Sequence, residues 1–302
     1  MKKAFTLLEI IVVIVVLGIV AMISAEIIAK MYERYLINRA TGRLESKTQL
    51  ALELIAARLQ YRIHDSTIAR ISKSGPFKAL ADADENYKIL EWIAYDNDGR
   101  LGKYSGGYNV PGWSGFCDLI PSDATTLVSP GSHFDTIEKD LAPTLYPDIN
   151  MTDGPQYPAV IFKGSRGELN VSRFGWGGGD HNYSIRVKVS SETNLTMLDK
   201  PDFISERYSL VLSAFALVPE GSDCSAALPI DCNLTLYYDF QPWKGETINQ
   251  DDVNRSLLID HITTFRFTQD GRTIHLKLCA MDAGLNTYME ENISVCKEKV
   301  VY

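Results

Sequence analysis

The sequence predicts an α+β protein in which one long N-terminal helix packs on an antiparallel β-sheet. Three patterns carry this prediction: an apolar run near the start, a helical periodicity that continues it, and alternating segments in the second half. The chain therefore divides into a short leading segment, a membrane-spanning half helix, an amphipathic half helix and an α+β domain with long loops. Their bounds are 1–4, 5–29, 30–63 and 64–302.

The apolar run is long enough to cross a membrane. From Ile10 to Ala25 the chain has no charged or amide side chain. As a helix, the span 5–29 measures about 37 Å, which exceeds the roughly 30 Å hydrocarbon core of a bilayer. Lys2 and Lys3 precede the run, so the positive-inside rule predicts a single-pass protein of the inner membrane. Its N-terminus would be cytoplasmic and its C-terminal domain periplasmic.

The helical pattern continues beyond the apolar run. Apolar residues recur every three or four positions, without any proline, as far as Ile63. Charged residues such as Glu33, Arg43 and Arg58 lie between them. This amphipathic pattern predicts a helix that leaves the membrane and lays an apolar stripe on a domain, with Gly42 as the point where it could bend. The stripe consists of Tyr32, Tyr35, Leu36, Ala40, Leu44, Leu52, Ile55, Leu59 and Ile63.

Several later segments alternate apolar and polar residues, as half-buried strands do. The last two of them flank Gln269-Asp270-Gly271, and because Asp-Gly favours a type I′ turn they form the clearest hairpin in the chain. The predicted strands of this half are 184–189, 208–218, 234–240, 262–268 and 273–278.

The first part of the domain is less regular. Residues 90–95 predict a strand, and Asn97-Asp98-Gly99 predicts the turn that follows it. Residues 96–99 also resemble part of a calcium-binding loop. Such a loop needs an acid or amide where Ala94 stands, so the pattern favours turn chemistry. The segments predicted to be irregular are 102–116 and 142–158.

Charge and motifs argue against several classes of function. The formal net charge is −8, and loss of Lys2 and Lys3 makes it −10, so we expect no nucleic-acid partner. The sequence has no Gly-x-Ser-x-Gly, His-Glu-x-x-His or Gly-x-x-x-x-Gly-Lys motif. Its five histidines are scattered and lack zinc-finger spacing. We therefore expect no enzyme, no cofactor and no metal site.

The five cysteines suit an oxidising compartment. Cys224 and Cys232 flank one short segment, Cys279 and Cys296 flank another, and Cys117 is left over. In a periplasm, two local disulfides that close these segments are the simplest pairing. Five cysteines do not fix the connectivity, so other pairings stay open.

Seven Asn-x-Ser/Thr sequons share an unusual feature, which is an acid two residues before each asparagine. This extended pattern resembles the acceptor site of the bacterial periplasmic oligosaccharyltransferase, which implies glycosylation on exposed loops. The alternative is a set of polar turns that share this composition. The asparagines are Asn150, Asn170, Asn182, Asn194, Asn233, Asn254 and Asn292. The acids are Asp148, Glu168, Asp180, Glu192, Asp231, Asp252 and Glu290.

The segment Lys2-Lys3-Ala4-Phe5-Thr6-Leu7-Leu8-Glu9 resembles the prepilin signal of type IV pilins and type II secretion pseudopilins. In that family a peptidase cuts off the leader and methylates the new N-terminus. By this resemblance Ala4 precedes the cut, Phe5 is methylated, and Glu9 is the acid that serves subunit assembly. The family usually has Gly before the cut, and this chain has Ala4 instead.

The resemblance implies a pilin-like fold and a minor pilin or pseudopilin of a type II secretion or type IV pilus system. The C-terminal hairpin is similar to the sheet of larger J-type minor subunits. Implied partners are other pilin or pseudopilin subunits, the prepilin peptidase and an inner-membrane assembly platform. The alternative is a periplasmic or surface glycoprotein, such as an adhesin, whose signal peptide ends at Ile23-Ser24-Ala25.

Glu9 needs a partner, because a carboxylate in hydrocarbon costs about 2.5–3.5 kcal/mol. Two partners stay open. One is the start of its own helix, where the helix dipole favours an anion. The other is the N-terminal amine of a neighbouring subunit, as the resemblance implies.

Overall fold

The computed structural model describes residues 6–105, 107–147, 149–164, 168–221, 224, 231–282 and 293–302. Its first element is the helix α1 (Leu7–Leu59), whose 53 residues extend for about 80 Å. Three one-turn helices follow: α2 (Asn97–Leu101), α3 (Phe134–Thr136) and α4 (Ala142–Leu145). The layout is an N-terminal helix followed by antiparallel sheet, which is consistent with the predicted α+β class.

The strands in chain order are β1 (Ile68–Arg70), β2 (Phe77–Ala79), β3 (Ile89–Tyr95), β4 (Lys103–Ser105), β5 (Tyr108–Val110), β6 (Thr126–Val128), β7 (Ala159–Phe162), β8 (Ile185–Val189), β9 (Asn194–Met197), β10 (Tyr208–Glu220), β11 (Cys232–Phe240), β12 (Asn254–Asp270), β13 (Thr273–Met281) and β14 (Ser294–Val301). Twelve of them form one sheet, whose main path is β14-β13-β12-β11-β10-β7-β8-β9-β6. The strands β1, β2 and β3 branch from this path, because β3 also pairs with β10. Every pairing in the described chain is antiparallel, and β4 and β5 form a separate hairpin.

The helix covers one face of the sheet. Leu90 and Trp92 of β3 lie in the core that contains Leu52 of α1, whereas Ile89 and Ile93 lie in a second core. Alternate residues of a strand point to opposite faces, so these two cores lie on opposite sides of β3. A third core lies beneath β6 to β9 and the loops that lead to α3.

The prediction that the helix reaches Ile63 is wrong. The helix ends at Leu59, because the next residues pair with β3 instead of continuing the turn. The backbone N–H of Ile63 donates to the carbonyl of Ile93 at 2.8 Å, and that of Tyr95 donates to Tyr61 at 3.0 Å. Beyond Leu59, hydrogen bonding to β3 therefore determines the backbone conformation, although the helical periodicity of the sequence continues to Ile63. The helix passes through Gly42 without interruption.

The predicted turn at residues 97–99 is also wrong, since α2 occupies this place. The side chain of Asp96 caps α2 by accepting a hydrogen bond from the backbone N–H of Gly99 at 2.8 Å. Asp and Asn are favoured in this capping position, so the same residues suit both structures. The predicted irregularity fails in two further places, where β4 and β5 lie within 102–116 and α4 lies within 142–158.

The hairpin of β12 and β13 forms as predicted, but with a different turn. Asp270 pairs with Thr273, so Gly271 and Arg272 form the two-residue loop. Of these two only Gly271, at 57°, has a positive φ. A type I′ turn needs positive φ at both positions, whereas a type II′ turn needs it only at the first. The turn is therefore of the II′ kind.

Candidate functional site

The start of α1 is closed by a reciprocal capping box between Thr6 and Glu9. The backbone N–H of Glu9 donates to Thr6 Oγ1 at 3.4 Å. In return, the backbone N–H and the hydroxyl of Thr6 donate to Glu9 Oε2 at 2.9 and 3.0 Å. The carboxylate of Glu9 thereby finds hydrogen-bond donors at the start of its own helix. These contacts use only one of its two oxygens, Oε2. Ala4 and Phe5, the predicted cleavage and methylation residues, lie outside the described part of the chain.

Among the residues that the structure describes, none packs over the first half of α1. Its side chains from Leu7 to Tyr35 are exposed, and the helix is long and apolar enough to cross a membrane. The first charged pair beyond the apolar run is Glu26 with Lys30, at 2.7 Å and one turn apart. Such an exposed apolar surface needs lipid or other helices to cover it.

The second half of α1 is fixed to the sheet by packing. One face of the helix is buried against β3, β12, β13 and β14. An ion pair between Lys47 and Asp260 adds a lateral contact to β12. The buried residues are Ala40, Leu44, Thr48, Ala51, Leu52, Ile55 and Leu59.

Arg62 fastens the end of the helix to the C-terminal strands. Arg62 is 3% exposed, and its guanidinium donates to the carbonyls of Leu59 at 2.8 Å and Arg272 at 2.5 Å. Longer hydrogen bonds reach the carbonyls of Val301 and Tyr302, at 3.4 and 3.3 Å. The second half of the helix is therefore held to the domain both along its buried face and at its C-terminal end.

Both expected disulfides are present. Cys279 and Cys296 face each other on β13 and β14, and Cys224 joins Cys232 at the start of β11. Cys117 is buried as a free thiol, and its Sγ lies 3.4 Å from Ser122 Oγ. Burial raises the pKa of the Cys117 thiol, which makes it a poor nucleophile.

The sequons fall into two structural groups. In the first, the acid, the asparagine and the hydroxyl residue are all exposed, as at Glu168-Leu169-Asn170-Val171-Ser172 and Asp252-Val253-Asn254-Arg255-Ser256. In the second, one of these groups is covered: Ser184 follows Asn182 and is fully buried, Thr235 follows Asn233 and is 6% exposed, and Asn194 is half-buried in β9.

The remaining two sequons are less completely described. Asn150 is exposed, and its Oδ1 accepts hydrogen bonds from the backbone N–H groups of Thr152 and Asp153, both at 2.9 Å. Its preceding acid, Asp148, lies outside the described residues, as do Glu290 and Asn292.

The domain buries an ion pair and a single carboxyl group that the sequence patterns did not predict. Arg70 and Glu91, which are 7% and 1% exposed at the side chain, pair at 2.5 Å between β1 and β3. Asp96 is 5% exposed, and its Oδ2 has no hydrogen-bond partner among the described residues. Burial raises the pKa of Asp96 to about 7. Neither group could be found from spacing, because both depend on long-range packing.

Comparison with known proteins bears on the N-terminus. A family model described as the prokaryotic N-terminal methylation motif matches residues 1–25. The match spans Ala4, Phe5 and Glu9, and the apolar run through Ala25. The chain matches no curated protein and no solved structure. Its N-terminal segment is therefore that of a type IV pilin-like prepilin, which implies processing by prepilin peptidase and assembly with other pilin subunits.

Proposed function

We propose that this protein is a minor pilin or pseudopilin subunit of a type II secretion or type IV pilus system, and not an enzyme. The observation that carries the proposal is Glu9, capped by Thr6 at the start of an uncovered apolar helix. The second half of the same helix is packed on the sheet. This arrangement suits a subunit that bundles its apolar helix with others while its domain projects outward.

The capping box is compatible with assembly after cleavage. A cut between Ala4 and Phe5 leaves the peptide bond between Phe5 and Thr6 intact. The Thr6 N–H therefore still donates to Glu9 Oε2, and Oε1 stays available for the N-terminal amine of a neighbouring subunit. A charge-assisted hydrogen bond to that amine would neutralise the carboxylate inside the helix bundle. The two partners considered for Glu9 can thus act together.

The size and the surface of the domain favour a subunit that is present in few copies per assembly. The domain adds long connections to the sheet, such as the segment between β6 and β7 that carries α3 and α4, which a repetitive filament wall does not require. We place the subunit at or near the tip of the assembly, as its similarity to larger minor subunits of the J type implies. An inner-membrane assembly platform would extract it from the bilayer.

The proposed orientation in the membrane follows from the charges at the N-terminus and from the two disulfides of the domain. Lys2 and Lys3 favour a cytoplasmic N-terminus. The two disulfides suit an oxidising periplasm for the domain, since the reducing cytoplasm disfavours them. The same location would expose the sequons to a periplasmic oligosaccharyltransferase, which we propose as a further partner.

Mass spectrometry of the mature N-terminal peptide tests this function. The proposal expects a chain that begins at methylated Phe5. A chain that begins at Glu26 would instead identify a product of ordinary signal peptidase, and the reading as an exported glycoprotein or adhesin would replace the assembly role. A variant with Ala4 changed to Asp serves as the control, because a bulky charge beside the cut should leave the leader in place.

A further inference from the structure

We propose that His133, Asp135 and Glu192 form a binding site for a divalent transition metal ion, with Zn²⁺ as the best match. Each residue offers one ligand atom, and the three atoms lie within 4.8 Å of one another. His133 Nδ1 already contacts Glu192 Oε1 at 2.5 Å, although the two residues are 59 positions apart. Motif searches miss this set, because they examine ligands that are close in sequence.

The backbone holds the two ligand-bearing segments together. The N–H of Phe134 donates to the carbonyl of Glu192 at 2.9 Å, and the N–H of Ser129 donates to the carbonyl of Thr193 at 2.8 Å. The Phe134 side chain, which lies between His133 and Asp135, is fully buried. The backbones of the loop before α3 and of the turn between β8 and β9 are thus held together, so the three ligand side chains start close to one another before any ion binds.

Asp135 keeps one carboxylate oxygen available for an ion. Its Oδ1 atom is covered and has no hydrogen-bond partner among the described residues, although the side chain as a whole is 44% exposed. The lone pairs of this oxygen can therefore coordinate a cation after a small side-chain rotation. The other oxygen of Asp135 is 3.9 Å from Lys139, an exposed pair that contributes little.

The ligand chemistry selects the class of metal. One imidazole and two carboxylates neutralise a divalent cation, and imidazole favours zinc and other transition metals over magnesium or calcium. Ligand atoms around tetrahedral zinc are about 3.3 Å apart. Side-chain rotation can reach this spacing, because Asp135 and Glu192 are 44% and 59% exposed at their side chains. The fourth position stays open to water or to a ligand on a partner.

Isothermal titration of the chelator-treated, full-length protein in detergent with ZnCl₂ tests the site. We expect one saturable Zn²⁺ per chain, with affinity reduced by about tenfold or more in His133→Ala and in Glu192→Gln. The matched control is His261→Ala, which breaks a similar His–acid contact, His261 Nδ1 to Asp231 Oδ1 at 2.9 Å, outside this cluster. Its affinity should equal that of the wild type.

Two results would overturn the proposal. One is the absence of saturable zinc binding to the wild-type protein. The other is unchanged affinity in either His133→Ala or Glu192→Gln, provided that this variant is folded. Denaturation followed by tryptophan fluorescence confirms that each variant is folded, because all four tryptophans are buried in the domain. Should His133→Ala fail to fold, Glu192→Gln still decides the question.

Discussion

Thr6 and Glu9 satisfy each other at the start of α1, with the Thr6 N–H 2.9 Å from the Glu9 carboxylate. The same acid is the residue that the prepilin resemblance assigns to assembly. Its two possible roles, helix capping and subunit docking, differ in what they need from the side chain. Capping needs an oxygen that accepts hydrogen bonds, whereas docking to an amine also needs a negative charge.

Asp96 should make the domain less stable as pH rises. Its ordinary pKa of 3.8 is raised to about 7 by burial, so between these values the folded state holds a proton that the unfolded state has lost. Stability therefore falls as pH increases from 4 to 7, by up to about 4 kcal/mol. Asp96→Asn keeps the cap on Gly99 and removes this dependence, which denaturant titrations at pH 5 and pH 8 would measure.

The exposed acid Asp82 provides the control for this experiment. Asp82→Asn should show the same difference between pH 5 and pH 8 as the wild type. If Asp96→Asn also kept the full wild-type difference, the titrating group would lie elsewhere in the domain.

Removing Arg70 should destabilise the domain strongly. Arg70→Met leaves the Glu91 carboxylate, which is 1% exposed, without its charge partner. The loss of one member of a buried pair costs about 3–5 kcal/mol, whereas replacing both by apolar residues costs much less. Urea denaturation should rank Arg70→Met below the double variant Arg70→Met/Glu91→Leu. Equal stability of the two would show that the pair is not electrostatically coupled.

Glycosylation should follow exposure if it occurs on the folded domain. Asn170 and Asn254 lie in sequons whose acid, asparagine and hydroxyl residue are all exposed. Glycopeptide mass spectrometry should find them occupied more fully than Asn194, which is half-buried. Asp252→Ala should reduce occupancy at Asn254 and leave Asn170 unchanged. Equal occupancy at all three sites would instead indicate modification before folding.

Sequence patterns predicted what depends on local periodicity. The helix, the strands β8, β10 and β11, and the hairpin of β12 and β13 all follow from it. The alternation expected for β10 is wrong, because both faces of this central strand are buried from Tyr208 to Val218. The patterns failed where long-range contacts decide the outcome. The helix ends at Leu59 because Ile63 finds a partner on β3, and Asp96 starts a helix because its side chain reaches Gly99.

The same distinction applies to functional residues. Glu9 could be predicted because it stands inside an apolar run, where a carboxylate is out of place. His133 and Glu192 could not, because only the packing of a loop against the turn between β8 and β9 brings them together.

Replacement of Glu9 by glutamine tests the central claim most directly. Glutamine can still accept the hydrogen bonds from Thr6, but it carries no charge for a neighbour's amine. The measurement is recovery of the full-length chain from membranes together with other pilin subunits, for Glu9→Gln, Glu9→Ala and the control Glu26→Gln. We predict normal membrane insertion for all three, and loss of co-assembly for both Glu9 variants only. Co-assembly of Glu9→Gln at the wild-type level would contradict the account and confine Glu9 to capping its own helix.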